Sequence, residues 1–219
     1  MFCSEYGRWT ALVLFAAAAC VQLFVPFDKR WTKPLLLPLI AVYYLFSVTQ
    51  PDWILVAALL FSGLGDALLM PNSNKWFTAG GISFMLSHFL FIAVYARHMD
   101  FSAVPRLPSV LIALVYLCVT AVILRLVQPI SPKAMTAAVC AYLLANSCMN
   151  VFSAMHLLSA PCLGSGIAYV GAVLFFISDC LLFLVRYDKS GRLKSYFFVM
   201  LTYIVGEFLI AEGMILLYR

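Results

Sequence analysis

The stretch WILVAALLFSGLGDALLM, residues 53–70, decides how the rest of the chain is interpreted. It is apolar over nearly the length of a membrane-spanning helix, which needs roughly 20 residues. Its one charged side chain is Asp66. An ionisable group inside the hydrocarbon costs several kcal/mol unless it faces protein or a water-filled cavity. The stretch therefore predicts a membrane helix that carries a functional carboxylate.

Seven further stretches of the chain share this apolar character. Hydrophobic residues make up 65% of the 219 residues and charged residues only 11%, whereas soluble proteins average about 25% charged residues. Hydropathy and helix-breaking residues predict eight membrane helices near 8–27, 31–48, 53–70, 76–97, 107–126, 133–158, 166–186 and 194–217. These leave no room for a soluble domain. We therefore expect residues 1–219 to form a single all-α domain, a polytopic membrane helical bundle.

The basic residues are distributed in a way that is typical of membrane topology. The formal net charge is +5, but the lysines and arginines lie between the apolar stretches and not along one nucleic-acid-binding surface. Ten of the fourteen lie near the odd-numbered loops, which by the positive-inside rule places those loops in the cytoplasm and both termini outside. The expected partner is the bilayer of a cell or inner membrane, with no nucleic acid and no obligate protein partner.

The cysteines and histidines show no metal-ligand spacing. The seven cysteines include no CxxC pair, and the three histidines are scattered along the chain. Neither a disulfide framework nor a zinc site is predicted from such a pattern. We expect no bound metal and no cofactor.

A second intramembrane aspartate, Asp179, lies in the seventh predicted helix. GDALL at 65–69 is echoed by SDCLL at 178–182, 113 residues later, which indicates a four-plus-four parallel repeat with both aspartates at similar depth. At 1.5 Å per residue, Asp66 lies roughly 6 Å and Asp179 roughly 10 Å inside the predicted cytoplasmic boundary. Lys33 begins the second helix at that boundary, where its ammonium would pair with a carboxylate or bind a phosphate.

Further polar side chains occur inside the fourth, sixth and eighth predicted helices. Tyr142, Asn146 and Asn150 are spaced i, i+4 and i+8 and so share one helix face. Such groups either line a polar cavity or form hydrogen bonds between helices, and the pattern leaves both readings open. With Asp66 and Asp179 as catalytic residues, the residues expected to contact a substrate are Lys33, His88, Tyr142, Asn146, Asn150, Tyr203 and Glu207.

Several of these segments occur in an order that resembles a known family. They are TKPL at 32–35, GDALL at 65–69, the segment 84–95 around Ser87 and His88, GAVLFFISD at 171–179, and Thr202 with Tyr203. Taken together they resemble the YhhN-like lysoplasmalogenases over about residues 30–210. The chain departs from the family pattern at Glu207, where glutamine is more usual.

The resemblance implies eight helices and an activity on lysophospholipids. The implied reaction is hydrolysis of the vinyl ether bond of lysoplasmalogens, giving a fatty aldehyde and glycerophosphoethanolamine or glycerophosphocholine. The residues themselves indicate only a paired-carboxylate site. Since two carboxylates in a low-dielectric pocket cannot both ionise cheaply, one is expected to act as the acid while the other stabilises a cation and activates water. The pattern does not say which aspartate is the acid.

Two other functions remain open at this point. A small-molecule or proton-coupled transporter would also use buried carboxylates and half-chain repeats, although its coupling site would lie near the midplane of the membrane. A metal-dependent lipid hydrolase would use His88, Asp66 and Asp179 as ligands and would lose activity with a chelator. A purely structural role would leave the buried charges without a purpose.

Overall fold

The computed structural model describes residues 5–25, 32–71, 73–128, 133–187 and 196–217. These residues form eight helices and no strand, which confirms the predicted all-α bundle. The helices are α1 (Glu5–Phe24), α2 (Lys33–Ser47), α3 (Trp53–Leu68), α4 (Asn74–Arg97), α5 (Arg106–Val127), α6 (Lys133–Ser159), α7 (Leu163–Tyr187) and α8 (Phe197–Leu217). Each begins and ends within three residues of its predicted position.

Proline and short polar side chains determine where α2 and α3 begin and end. α2 begins at Lys33 with Pro34 in its first turn, where the missing N–H leaves no hydrogen bond unmade. α3 begins after Asp52, whose side chain accepts a hydrogen bond from the Ile54 N–H at 2.9 Å. Pro71 follows α3 and cannot continue it. The positions of these helix ends determine which side chains lie at the two ends of the bundle.

α2 and α3 are shorter than the other helices. Within the described ranges, six helices are long and apolar enough to cross a membrane, whereas α2 has 15 residues and α3 has 16. At 1.5 Å per residue the pair would span roughly 22 and 24 Å, against a hydrocarbon core of about 30 Å. α2 and α3 are shorter than their predicted bounds, 31–48 and 53–70, and extended Val48 ends α2 one residue before its predicted end.

The helix packing follows the predicted four-plus-four repeat. In the first half α1 packs on α2, α2 on α3 and α3 on α4, and in the second half α5 packs on α6, α6 on α7 and α7 on α8. The halves are joined by a contact of α4 with α6 and by a contact of α2 with α8. When α1–α4 are superposed in order on α5–α8, each of these two contacts corresponds to the other. Contacts of α5 with α7 and of α1 with α8 have no counterpart of similar extent.

The closest helix pair, α7 and α8, is held together by glycines. A Cβ atom built on Gly171 of α7 would lie 2.6 Å from the carbonyl oxygen of Gly206 on α8. A Cβ on Gly213 would lie 2.5 Å from the backbone nitrogen of Ala168. In a membrane, where apolar side chains gain little by leaving lipid, such close backbone approach is a main source of helix association. The pair therefore forms the rigid support for Asp179.

Candidate functional site

Asp66, near the end of α3, is a buried carboxyl group paired with a cation. Its side chain is 1% exposed, and the Lys33 ammonium lies 3.1 Å from its Oδ1 atom. The Tyr203 hydroxyl on α8 donates a hydrogen bond of 2.8 Å to its Oδ2 atom. Both oxygens are thus occupied, and the positive charge beside them favours the ionised carboxylate.

Asp179, on α7, has only neutral hydrogen-bond donors. The Tyr142 hydroxyl donates to its Oδ2 atom at 2.8 Å, and the Asn146 amide donates to the same atom at 2.6 Å. His88 Nε2 lies 3.7 Å from that oxygen. Among the described residues, no hydrogen bond reaches Oδ1, and no lysine or arginine nitrogen lies within 4 Å of the carboxyl group. The Oδ1 atom is therefore available to carry a proton.

A chain of amides and hydroxyls orients the Asn146 side chain. Asn150 donates a hydrogen bond of 2.9 Å to the side-chain oxygen of Asn146, which directs the Asn146 nitrogen towards Asp179. Tyr116 on α5 in turn donates to the side-chain oxygen of Asn150 at 3.2 Å. Of the two readings left open by the sequence, the structure shows hydrogen bonding between helices for both asparagines.

The partners of the two aspartates are related by the four-plus-four repeat. Asp66 on α3 is held by Lys33 of α2 and by Tyr203 of α8. Asp179 on α7 is held from α6, by Asn146 among others, and is approached by α4. Lys33 and Asn146 are separated by the same 113 positions as the aspartates. Each aspartate is thus held by the second helix of its own half, and the last helix of the other half holds Asp66 and approaches Asp179.

Both aspartates line one cavity, which we call the acid cavity. Its volume is about 220 Å³. Its walls are Lys33, Asp66, Leu69, Phe77, Phe84, Ser178, Asp179, Leu182, Arg186, Tyr196, Val199, Met200 and Tyr203. They come from the start of α2, the end of α3, the first half of α4, the end of α7 and the start of α8. This end of the bundle carries the odd-numbered loops.

Two further cavities adjoin the acid cavity. The apolar cavity, of about 120 Å³, lies between α4, α6 and α7 and shares Leu69, Phe77, Phe84 and Leu182 with the acid cavity. The polar cavity, of about 290 Å³, is lined by Asn74, Met135, Val185, Arg186, Tyr187 and Tyr196. The acid cavity therefore adjoins a nearly apolar cavity through four shared residues and a more polar cavity through Arg186 and Tyr196.

Arg186 lies between the acid cavity and the polar cavity and lines both. Its guanidinium carbon stacks 3.6 Å from the centre of the Phe77 ring, and its Nη2 atom donates a hydrogen bond of 3.2 Å to Asn74. From the sequence alone, this arginine is only a marker of membrane topology. Arg186 follows Asp179 by seven residues, or two helical turns, so both lie on one face of α7. This spacing is the sequence pattern from which a shared site could have been inferred.

The predicted substrate-contacting residues divide into two groups. Lys33 and Tyr203 line the acid cavity, and Tyr142 lines the apolar cavity. The residues that are fully enclosed and line none of the three cavities are His88, Asn146, Asn150 and Glu207. The enclosed group therefore lies behind the cavity walls, where Asn146 holds the lining residue Asp179.

The enclosed His88 and Glu207 differ from the asparagines in their contacts. The His88 ring packs 5.1 Å from the ring centres of both Tyr142 and Phe175, and neither ring nitrogen forms a hydrogen bond within 3.5 Å. Neither carboxyl oxygen of Glu207 forms such a bond. In the described part of the chain no three His, Cys, Asp or Glu side chains are arranged to hold a metal ion, so the alternative ligand set of His88 with both aspartates is not formed there.

Replacing Lys33 by methionine is expected to destabilise the protein by a few kcal/mol, because the Asp66 carboxylate would stay buried without its cation. A second change, Asp66→Asn, removes that charge, so the double variant should regain much of the lost stability. Thermal unfolding of both variants measures the effect, with Lys33→Arg as the charge-preserving control. Equal melting temperatures for the single and double variants would contradict a stabilising ion pair.

Comparison with known proteins places these residues in a family. Searches of curated proteins and of solved structures found no match. The model of the YhhN family matches residues 29–214, a range that begins before α2 and ends within α8. It includes both aspartates and all their hydrogen-bonding partners on α2, α6 and α8, and it confirms the resemblance seen in the motifs. The chain therefore belongs to the YhhN family.

Proposed function

We propose that this protein hydrolyses the vinyl ether bond of lysoplasmalogens, releasing a fatty aldehyde and a glycerophosphoethanolamine or glycerophosphocholine. The observation that carries the proposal is that two carboxyl groups on one cavity have different neighbouring groups. Asp66 is paired with an ammonium, whereas Asp179 has neutral donors on one oxygen and none on the other. A vinyl ether requires this combination of an acid and a nearby anion.

The first step is transfer of the proton on Asp179 Oδ1 to the alkene carbon farther from the ether oxygen. A new C–H bond forms, the π bond is consumed, and the positive charge is shared between the other alkene carbon and the ether oxygen. This oxocarbenium ion resembles the one formed in glycoside cleavage. The Asp66 carboxylate, held in place by Lys33 and Tyr203, stabilises the cation.

The second step is the addition of water to the oxocarbenium carbon. Asp66 accepts a proton from the water as the new C–O bond forms, giving a hemiacetal. The hemiacetal then collapses: its hydroxyl proton passes to Asp179, the bond to the glycerol oxygen breaks, and that oxygen takes the proton from Asp66. One water is consumed, and both side chains return to their starting states.

The cavities fit the two ends of a single-chain phospholipid. Lys33 is engaged by Asp66, so it is the charge partner of the carboxylate and not the phosphate ligand. Arg186 forms no ion pair with a carboxylate in the described ranges and lines both the polar cavity and the acid cavity. A planar guanidinium offers two parallel hydrogen bonds to phosphate oxygens. We therefore assign the head-group phosphate to Arg186.

Replacing Arg186 by glutamine is expected to raise the KM for the lysolipid by about tenfold or more, since a hydrogen bond to a charged group contributes about 1.5–3 kcal/mol. The value of kcat should change little, because the arginine does not touch the reacting atoms. Arg125→Gln, an exposed arginine near the same end of the bundle, is the matched control for charge. An equal KM effect in both variants would argue against a specific phosphate contact.

The activity is tested with purified protein in lipid nanodiscs and two substrates of equal chain length. Lysoplasmenylethanolamine should yield aldehyde, whereas the acyl-ester analogue should yield no fatty acid. Reaction in D₂O, with the aldehyde trapped by reduction, should place one deuterium on the carbon next to the former carbonyl, because protonation occurs at carbon. Fatty acid from the ester would redirect the function to a lysophospholipase, and loss of activity with a chelator would indicate a metal-dependent hydrolase.

A further inference from the structure

The apolar cavity has features of a binding site for a hydrocarbon chain. It is lined by side chains of α4, α6 and α7 and joins the acid cavity through Leu69, Phe77, Phe84 and Leu182. Ile82, on its wall, is 51% exposed, so the cavity borders the membrane-facing surface of the bundle. A chain that leaves the acid cavity by this route passes into the bilayer and never into water.

Gly81 on α4 keeps the apolar cavity open. A Cβ atom built on it meets no other atom within 4 Å, although the residue lines the cavity wall. The neighbouring Gly80 is different, because its Cβ would lie 2.8 Å from a methyl group of Leu69 and 3.1 Å from the Gly65 carbonyl oxygen. Helix packing therefore restricts the side chain at position 80 but not at position 81, where a large side chain would take up cavity space.

The charge distribution identifies the kind of molecule that spans the three cavities. The Arg186 cation stacks on Phe77, which lines both the acid and the apolar cavity, and the nearly apolar walls around Gly81 lie one helical turn further along α4. An amphiphile with an anionic head and a hydrocarbon chain matches this order. This match rests on the proposed function, because that function places the reacting vinyl ether bond in the acid cavity.

We propose that the apolar cavity binds the part of the lysolipid chain nearest the vinyl ether, and that Gly81 determines which chains fit. Substitution of Gly81 by phenylalanine would fill the cavity and weaken binding of a straight chain. The distal part of the chain lies in the bilayer, so specificity should respond to bulk near the head group more than to total length. Branching close to the vinyl ether should therefore reduce turnover more than the addition of methylenes at the far end.

A cross-linking experiment tests the site without requiring turnover. The probe is an alkyl-ether lysophosphatidylethanolamine with a diazirine on the chain near the head group, bound to the protein in nanodiscs. Light should attach it to cavity residues such as Met85 and Met135, and Gly81→Phe should reduce this labelling at least fivefold. Gly166→Phe is the matched control, because Gly166 also has open space at its Cβ but lines none of the three cavities. Labelling spread over the outer face of α5, or unchanged by Gly81→Phe, would overturn the site.

Kinetics separate this inference from the proposed reaction. In an active protein, Gly81→Phe should raise KM about tenfold with little change in kcat, while the control Gly166→Phe should behave like the parent. Labelling of the cavity without aldehyde release from any lysolipid would support the chain site and reject the reaction. Aldehyde release with labelling elsewhere would support the reaction and reject the chain site.

Discussion

Asp179→Asn is expected to lower the rate of aldehyde release by roughly a thousandfold while leaving a folded protein. The asparagine retains a side-chain oxygen that can accept the hydrogen bonds of Tyr142 and Asn146, so the surrounding contacts persist. It has no acidic proton, and protonation of the alkene carbon then depends on water alone. Single-turnover assays of aldehyde release in nanodiscs measure the effect directly.

Asp66→Asn should reduce the rate to a similar extent for a different reason. The variant keeps the acid but loses the negative charge beside the oxocarbenium ion and the base that accepts a proton from water. Asp100→Asn, which alters an exposed aspartate in the loop before α5, is the control and should retain full activity. Retained turnover in a folded Asp66→Asn or Asp179→Asn variant would contradict the paired-carboxylate mechanism.

Gly171→Leu is expected to prevent normal assembly of the bundle. Its Cβ would lie 2.6 Å from both the Gly206 carbonyl oxygen and the Ile210 backbone nitrogen, and backbone atoms cannot move aside as a flexible side chain does. Overpacking of this kind costs about 3 kcal/mol or more, or about 10 °C in melting temperature for a chain of this size. Separation of α7 from α8 would also move Asp179 away from the rest of the acid cavity.

Size-exclusion chromatography and thermal unfolding in detergent measure this effect. Gly166→Leu lies on the same helix and adds the same side chain, but nothing lies within 4 Å of its Cβ position. The control should elute and melt like the parent protein. If both variants lose the folded state equally, the cause would be leucine on α7 in general and not the close contact with α8.

The sequence predicted those parts of the site that depend on composition and order. Uninterrupted apolar stretches define helices, and an aspartate within such a stretch is rare enough to indicate function, as Asp66 and Asp179 both do. The 113-residue echo also predicted the parallel repeat, and the helix packing agrees with it. These signals lie within single helices or in the spacing between them.

The pairing of side chains across helices could not be predicted in the same way. Periodicity places Asn146 on an inward face but does not name Asp179 as its partner, because the partner depends on which helices adjoin. The assignment of acid and base depends on the same information, since only the structure shows that Lys33 lies beside Asp66. The contacts of Arg97 and His98 with Asp52, at 3.5 and 3.6 Å near the opposite end of the bundle, were likewise missed.

The contact of the acid cavity with both an apolar and a polar cavity bears on what happens after the bond breaks. Cleavage in the acid cavity would divide the lipid between its hydrocarbon chain and its polar head group. The aldehyde would remain dissolved in the bilayer, since transfer to water costs about 0.8 kcal/mol for each methylene. The glycerophosphate half, which carries no chain, would diffuse away into the aqueous phase. Because one product would partition into the bilayer and the other into water, the two would separate, and this separation would favour the forward reaction. The lipid would not have to be extracted from the membrane.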